Sequence, residues 1–206
     1  MSFVIFDTEY TTWEGCLEKG WTGQKKKEVV QLSALKISDK LEVLAEFSAL
    51  CKPSINPILS DYFVNLTHIT NEQVNKSGEA FSTVYNNFVN FVGNDTCYSH
   101  VWNADFIYKA DGEIIENNIL LYNLPTQQSL TYRNIAPIFK KLYEENKISV
   151  TYQSSGQIAG ILGLDKKIEN LGLNPHNAFY DVYSIYEGMK YFYPQSVELL
   201  KYFERM

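Results

Sequence analysis

The stretch that most constrains the fold is SFVIFDTEY at residues 2–10, an apolar run that ends in two carboxylates. Its apolar part is aromatic or β-branched without a polar interruption, which is typical of a strand buried on both faces of a sheet. Asp7 and Glu9 follow, and because side chains alternate along a strand, both point to the same face. Two like charges placed so close repel each other unless a cation lies between them. Oxygen ligands of this kind suit Mg²⁺ or Mn²⁺, although an acidic strand end also begins many ordinary solvated turns.

The composition favours one α/β domain and gives no sign of a broad nucleic-acid-binding surface. The chain has 206 residues, enough for one sizeable core, and we expect residues 1–206 to form a single domain. Its net charge of −6 argues against long-range capture of nucleic acid, so any such contact has to be local. Three widely spaced cysteines form neither a zinc motif nor a disulfide framework, and no apolar run is long enough for a membrane span. We therefore expect a cytoplasmic protein with no membrane contact.

Periodicity along the chain predicts the rest of a sheet and its helices. Residues 29–37 and 41–50 alternate in places and flank a turn, which predicts two antiparallel strands, and residues 96–101 predict a short buried strand. Thr70 and Gln73 fit a capping box at a helix start. Helical spacing of apolar residues predicts helices over 80–92, over 112–121, within 130–146 and over 154–162. The stretch after them is expected to be a loop.

The segment Tyr10–Lys27 is rich in glycine and follows the first strand directly, which predicts a long loop beside the two carboxylates. Loops in such a position often shape binding, and Tyr10, Trp13 and Trp21 are of a type that stacks on nucleic-acid bases. The alternative is that both tryptophans only hold the loop against the core. We interpret the lysine triplet at 25–27 as a solvated turn rather than a phosphate clamp.

The last predicted helix carries a second group of candidate site residues, in the sequence PHNAFYDV at 175–182. His176 precedes the helix and is free to reach across a site, although an ordinary hydrogen-bonded histidine is its simplest interpretation when taken alone. Asp181 shares a helix face with the apolar Ile185. A carboxylate on a core-facing stripe is costly to bury unless it is paired or binds a metal, which points to a function for Asp181.

Taken together, these motifs resemble the DEDDh 3′→5′ exonucleases, which have a ribonuclease-H-like fold. The shared order is D-x-E on an apolar first strand, an aspartate past mid-chain, and H-x-x-x-x-D before a late helix. VVQLSALKI is similar to the family's second strand, NLTHITNEQV to its segment near the substrate's 3′ end, and HNAFYDVYSI to its third motif. The segments FDTEYTTWEG and LTHIT resemble the branch that trims RNA 3′ ends more than they resemble replicative proofreading subunits.

The resemblance covers most of the chain and implies an architecture. It implies an α/β protein with a ribonuclease-H-like mixed central sheet, whose first strands are antiparallel and whose later strands are parallel, flanked by helices. Residues 1–206 would form one exonuclease domain.

Two aspartates are open for the second motif, within SHVWNADFIYKADGEII. Family members usually place an apolar pair three and four residues after this aspartate. Asp111 has Ile114 and Ile115 at those offsets and a predicted helix directly behind it. Asp105 follows Asn103, as the compact form of the motif prefers. However, Lys109 lies four residues after Asp105, where the motif usually has an apolar residue. We therefore favour Asp111.

The resemblance also implies a chemistry. It assigns metal binding to Asp7, Glu9, Asp111 and Asp181, which would hold two Mg²⁺ or Mn²⁺ ions, and the role of general base to His176. The reaction would release nucleoside 5′-monophosphates from the 3′ end of single-stranded nucleic acid, RNA more than DNA. Two alternatives stay open for this chain: a catalytically inactive nucleic-acid-binding module of the same fold, and a phosphodiesterase for very short oligonucleotides.

Contacts to the terminal nucleotide are carried over in the same way. Leu66, Thr67 and Ile69 would wedge against the terminal base, and the backbone near Thr8 and Glu9 would hold the 3′-hydroxyl. The predicted substrate contacts are Thr8, Tyr10, Trp13, Leu66, Thr67 and Ile69. The sequence does not indicate an oligomeric state.

Overall fold

A computed structural model of the chain describes residues 2–105, 107–125 and 130–193, apart from the side chain of Leu17. These residues contain a five-stranded sheet of order β3-β2-β1-β4-β5. The strands are β1 (Ser2–Tyr10), β2 (Val29–Ser38), β3 (Val43–Leu50), β4 (Cys97–Ser99) and β5 (Tyr132–Asn134). β1, β2 and β3 pair antiparallel, whereas β4 runs parallel to β1 and β5 runs parallel to β4. The expected mixed sheet, antiparallel first and parallel later, is confirmed.

Helices cover both faces of the sheet. They are α1 (Cys16–Lys19), α2 (Asp61–Thr67), α3 (Asn71–Ser77), α4 (Phe81–Val92), α5 (Asp111–Leu121), α6 (Ala136–Glu145), α7 (Gln157–Ile161), α8 (Asp165–Glu169) and α9 (Ala178–Phe192). The apolar residues of α4 and α5 pack on one face of the sheet, and those of α6 and α9 pack on the other. This arrangement is the predicted ribonuclease-H-like class of fold.

β1 is buried because it is a central strand with a helical layer on each face. Phe3 and Ile5 pack into the cluster that contains α6 and α9, while Val4 and Phe6 pack into the cluster that contains α4. The alternation of strand side chains thus sends apolar groups into both cores. It leaves the carboxyl end of β1 as the place where polar groups emerge.

Side-chain caps fix the starts of two helices. Ser60 Oγ accepts a hydrogen bond from the Phe63 N–H at the start of α2, which continues to Thr67. Thr70 and Gln73 form the predicted capping box of α3, since each side chain accepts from the other residue's backbone N–H.

Several short elements differ from the sequence-based expectation. The stretch 130–146 contains the expected helix as α6, but residues 132–134 before it form β5, a strand that was not predicted and that is fixed by hydrogen bonds to β4. β4 itself has three residues, where a strand over 96–101 was expected. α7 is shorter than predicted, and α8 lies in the stretch expected to be a loop. Elements of three to five residues are too short to show a period, so distant contacts determine them. No helix among the described residues has the length and apolar character that a bilayer span requires.

A buried carboxylate fixes the segment that precedes β2. Glu28 is fully buried, and its two carboxylate oxygens accept hydrogen bonds from the backbone N–H groups of Ser54, Ile55 and Asn56 at 2.7, 2.8 and 2.6 Å. The Tyr122 hydroxyl also donates to Glu28 Oε1 at 2.6 Å. One side chain therefore joins the long loop before β2 to the segment before α2 and to the end of α5.

We expect Glu28→Ala to lower the free energy of unfolding by about 3 kcal/mol, because it removes hydrogen bonds to a buried charged acceptor. Glu144→Ala is the matched control, since Glu144 is exposed and its change should stay within about 0.5 kcal/mol. Urea unfolding followed by circular dichroism measures both. Equal losses in the two variants would show that water replaces the Glu28 contacts at no cost.

Candidate active site

The carboxyl end of β1 opens into a cavity of about 240 Å³. It is formed by the ends of β1 and β4, the start of α5, one side of α2, and the segments before α7 and α9. Its lining consists of Asp7, Thr8, Glu9, Tyr10, Thr12, Tyr62, Leu66, His100, Val101, Asp111, Ser155, His176 and Asp181. The five residues predicted to be catalytic therefore meet in one cavity.

Three carboxylates form the centre of this cavity. Oxygen atoms of Asp7, Glu9 and Asp181 lie within 4.8 Å of one another. Asp7 and Glu9 share a face of β1, and Asp181 comes from the first turn of α9, which packs against β1 and β2. Asp7 and Asp181 are buried, and Glu9 is half-buried.

Asp111 joins this group from the first turn of α5. Its Oδ1 accepts a hydrogen bond from Thr8 Oγ1 at 2.7 Å, and its backbone N–H donates to Ser99 Oγ at 3.1 Å. Because β4 is parallel to β1, both strands end at the same edge of the sheet, and the chain after β4 enters α5 beside the carboxylates. Asp105 is exposed and lies in a separate depression with Asn103 and Tyr108. The structure thus brings Asp111, and not Asp105, into the cavity.

The carboxylates carry strongly perturbed acidities. Burial raises the pKa of Asp7 well above its usual range, and the nearby charges of Asp111, Asp181 and Glu9 raise it further. Burial also raises the pKa of Glu9, again reinforced by Asp181 and Asp111. The pKa values of Asp111 and Asp181 rise to about 6 because their carboxyl groups are buried, and hydrogen bonds from Thr8 and Ser155 respectively oppose the rise. Ionised together, these groups destabilise the native state unless a cation compensates them.

The donor set fits a hard divalent cation. Asp181 Oδ2 accepts from Ser155 Oγ at 2.9 Å, but Asp181 Oδ1 is buried with no hydrogen-bond partner among the residues that the structure describes. A buried carboxylate oxygen without a partner is unfavourable, and a metal ion would satisfy it. Gly156 leaves room for this oxygen, because a Cβ there would lie 2.4 Å from Asp181 Oδ1.

His176 borders the same cavity from the segment before α9. It is exposed, has φ of 61°, and also lines a neighbouring groove of about 530 Å³ that runs along α7 and α8. The following residue, Asn177, caps α9 through a hydrogen bond from the Phe179 N–H at 3.0 Å. Gln31 of β2 donates to Asn177 Oδ1 and accepts from the Ala178 N–H, which ties the start of α9 to the sheet. The histidine is thus held at the mouth of the acidic cavity.

The sequence profile of the family described as "Exonuclease" matches residues 4–189 of this chain. The chain belongs to the exonuclease family. No curated protein matches the sequence significantly. The resemblance to the DEDDh exonucleases, stated from the motifs, is confirmed.

Solved structures of nucleases share the fold of this exonuclease-family chain. The nuclease domain of 3′hExo, a DEDDh family member bound to rAMP, superimposes with a TM-score of 0.67 at 20% identity, over 96% of this chain and 94% of that one. Cell-death related nuclease 4 gives a TM-score of 0.67 at 17% identity, over 95% of this chain and 64% of that one. E. coli exonuclease I in complex with a dA16 oligonucleotide gives 0.68 at 15% identity, over 98% and 42%. At these identities the similarity shows the fold.

Not all predicted substrate contacts of the exonuclease-family chain reach the cavity. Thr8, Tyr10 and Leu66 line it. Thr67 and Ile69 are buried instead, and Ile69 packs with Val30, Leu59, Phe63 and Val74. Trp13 is half-buried and lies outside the lining. The assignments of Thr67, Ile69 and Trp13 stay predictions without support from the cavity's geometry.

Two residues of the cavity had no signal in the sequence. Ser155 binds Asp181 from the segment before α7, within a stretch expected to be helical. His100 is buried beside Trp102 and Phe139, and neither ring nitrogen has a hydrogen-bond partner in the described part of the chain. Burial lowers the pKa of His100 to about 4, so this imidazole is neutral at physiological pH. Only the tertiary structure places either side chain at the site.

We expect Asp7→Asn to stabilise the metal-free protein by about 1–2 kcal/mol, because it removes one of the mutually repelling buried charges. Mn²⁺ at 100 times its dissociation constant should stabilise the wild type by about 2.7 kcal/mol and the variant far less. Thermal unfolding in EDTA and in Mn²⁺ measures both effects, with Asp105→Asn as the control outside the cavity. Equal Mn²⁺ effects on wild type and Asp7→Asn would argue against a metal site here.

Proposed function

We propose that the chain is a metal-dependent 3′→5′ exonuclease that acts on single-stranded nucleic acid, with RNA favoured over DNA. The observation that carries this proposal is the meeting of four carboxylates and a histidine in one cavity of an exonuclease-family fold. We further propose that residues 1–206 act as a single exonuclease domain.

Two divalent ions, Mg²⁺ or Mn²⁺, fit the carboxylates of the cavity. Asp7, Glu9 and Asp181 would hold one ion, since their oxygens already lie within 4.8 Å of one another. Asp7 and Asp111, which line the same cavity, would hold the second. Bound there, the ions would activate a water molecule and stabilise the charge on the departing oxygen. They would also neutralise the carboxylates, so an acidic site can accept a phosphodiester.

His176 is proposed to be the general base. The attacking water loses a proton to its imidazole while the water oxygen forms a bond to the terminal phosphorus. The bond from phosphorus to the 3′-oxygen of the preceding nucleotide breaks, and this oxygen leaves with a proton from solvent. The products are a nucleoside 5′-monophosphate and a strand shortened by one residue. The exposure of His176 at the cavity mouth supports this role, because water and substrate reach it directly.

The terminal nucleotide would lie against the side of the cavity opposite His176. Leu66 and Tyr62 of α2 and Tyr10 of β1 provide apolar and aromatic surface there. Thr8 would position the 3′-hydroxyl through its backbone, while its side chain supports Asp111. We favour RNA as the substrate because the segments FDTEYTTWEG and LTHIT resemble the branch of the family that trims RNA 3′ ends. The solved relatives include one bound to rAMP and one bound to a DNA oligonucleotide, so the fold accommodates both chemistries.

The decisive test is degradation of 5′-labelled single-stranded RNA and DNA of the same sequence in Mg²⁺, Mn²⁺ or EDTA. We expect a metal-dependent ladder that shortens from the 3′ end, and a loss on the order of 10³-fold in Asp7→Asn. Absence of cleavage in a folded protein with both metals would overturn the proposal and favour an inactive binding module. Cleavage of dinucleotides alone would favour a phosphodiesterase for very short oligonucleotides.

Asp111 and Asp105 form a matched pair for a second test. We expect Asp111→Asn to lose activity by about 10²–10³-fold, because it removes a negatively charged ligand of the second proposed metal ion, while Asp105→Asn keeps wild-type activity. Rates of 5′-monophosphate release under single-turnover conditions provide the comparison. The reverse ranking would assign the second motif to Asp105.

A further inference from the structure

Lys27 lies at the rim of the candidate active site. Its Nζ is 5.2 Å from the centroid of the Tyr10 ring, and Tyr10 lines the cavity. The same Nζ lies 4.2 Å from the centroid of the Trp21 ring. The ammonium group is therefore held over two aromatic rings, one of which belongs to the cavity lining.

The backbone around Lys27 is fixed on both sides. Asn118 Nδ2 of α5 donates a hydrogen bond to the Lys27 carbonyl at 2.8 Å, and Asn118 Oδ1 accepts from the Val29 N–H at 3.0 Å. The next residue, Glu28, exchanges hydrogen bonds with Thr11, since the Thr11 N–H donates to the Glu28 carbonyl and the Glu28 N–H donates to Thr11 Oγ1. Because the backbone is anchored, ligand binding by the side chain does not have to order this part of the loop.

Trp21 is fixed as well, in a way that suits it to support a lysine. Its indole Nε1 donates to the Thr11 carbonyl at 2.8 Å, and its ring lies 5.8 Å from the Tyr10 ring. The half-buried ring is thus engaged with Tyr10 and Lys27. A second pair in the same loop has the same arrangement, with Lys25 Nζ 5.3 Å from the Trp13 ring centroid.

The charge of Lys27 is available to a ligand. Within the described residues, the ion pairs involve Lys36, Lys109, Lys141, Lys167 and Lys190, and no carboxylate lies within ion-pair distance of Lys27. Partial burial lowers the pKa of Lys27, and the nearby carboxylates of Glu113 and Asp111 oppose this and favour the charged ammonium.

The cavity needs such a cation. Its described lining contains four carboxylates and neither lysine nor arginine. The chain has a net charge of −6, so it repels an approaching nucleic-acid strand even when bound metals neutralise the carboxylates of the cavity. A fixed ammonium at the rim would offset that repulsion for one phosphate.

We propose that Lys27 binds a backbone phosphate of the nucleic-acid strand entering the cavity, with Trp21 as the platform that holds its ammonium. The proposal rests on the proposed function, because that function supplies the strand. It assigns a phosphate contact to the lysine triplet that the sequence indicated as a solvated turn, and it makes Trp21 a support for the cation in place of a base-stacking surface. Lys27 acts on binding, and the carboxylates and His176 act on the chemistry.

The test is the salt dependence of binding. A fluorescein-labelled oligouridine is titrated with wild type, Lys27→Gln and Lys27→Arg in Ca²⁺, over a series of salt concentrations. We expect Lys27→Gln to reduce the slope of log K against log[salt] by about 0.7, the value for one phosphate contact on a single strand. Lys27→Arg should keep the wild-type slope. Lys40→Gln is the matched control, because Lys40 is exposed in the β2–β3 turn at the opposite end of the sheet.

A neutral linkage identifies the phosphate. Replacing one phosphate at a time by methylphosphonate should weaken wild-type binding at several positions, and at one of them the loss should disappear in Lys27→Gln. Lys27→Met, which keeps the aliphatic stem over Trp21, repeats the measurement if the glutamine variant unfolds.

The outcomes separate this inference from the exonuclease activity. A wild type that cleaves RNA or DNA while the Lys27→Gln slope is unchanged overturns the role of Lys27 and leaves the exonuclease intact. A Lys27-dependent slope without cleavage in Mg²⁺ or Mn²⁺ supports the phosphate contact and overturns the exonuclease. A wild type that binds no strand overturns both.

Discussion

The structure depends on the enforced proximity of like charges at the end of β1. Asp7 cannot turn away from its neighbours, because β1 is paired on both edges, with β2 on one side and β4 on the other. α9 adds Asp181, and α5 adds Asp111. Burial raises the pKa of each of these carboxyl groups, and the charges of neighbouring carboxylates raise the pKa of Asp7 and Asp111 further. A fold that fixes such a cluster is most stable with a cation bound. The repulsion that destabilises the fold without metal therefore also favours metal binding.

The parts of the site that the sequence predicted are those whose position is set locally. Asp7 and Glu9 follow from the two-residue period of a single strand, and Asp181 follows from the apolar stripe of a single helix. Choosing Asp111 over Asp105 required the spacing of Ile114 and Ile115, and the structure adds the reason that α5 begins at the edge where β1 and β4 end. Each of these inferences needed only one element and its neighbours along the chain.

The parts that the sequence did not predict depend on contacts between distant segments. Ser155 and Gly156 matter because they meet Asp181, 26 residues from Ser155, and nothing in their own neighbourhood indicates this. β5 exists because β4 offers it a partner, and its three residues carry no period of their own. Thr67 and Ile69 were assigned to the substrate from the family's pattern, and their burial, which the sequence did not indicate, depends on how α2 and α3 pack. Such positions are determined by packing, which a single sequence does not display.

The long loop after β1 shows how an acidic protein can hold local positive charge beside an acidic cavity. Its composition suggested exposed aromatic residues and a solvated lysine run, whereas the structure combines the two, with Lys25 over Trp13 and Lys27 over Trp21. The net charge describes the whole surface and therefore says little about the local charge at the mouth of the cavity. Because Glu28 joins this loop to the segment before α2, the cationic rim and the helix that carries Leu66 are positioned by the same buried carboxylate. Glu28 thus holds the segments on both sides of the cavity mouth in place. A change at Glu28 should therefore disturb strand binding, even though Glu28 does not line the cavity.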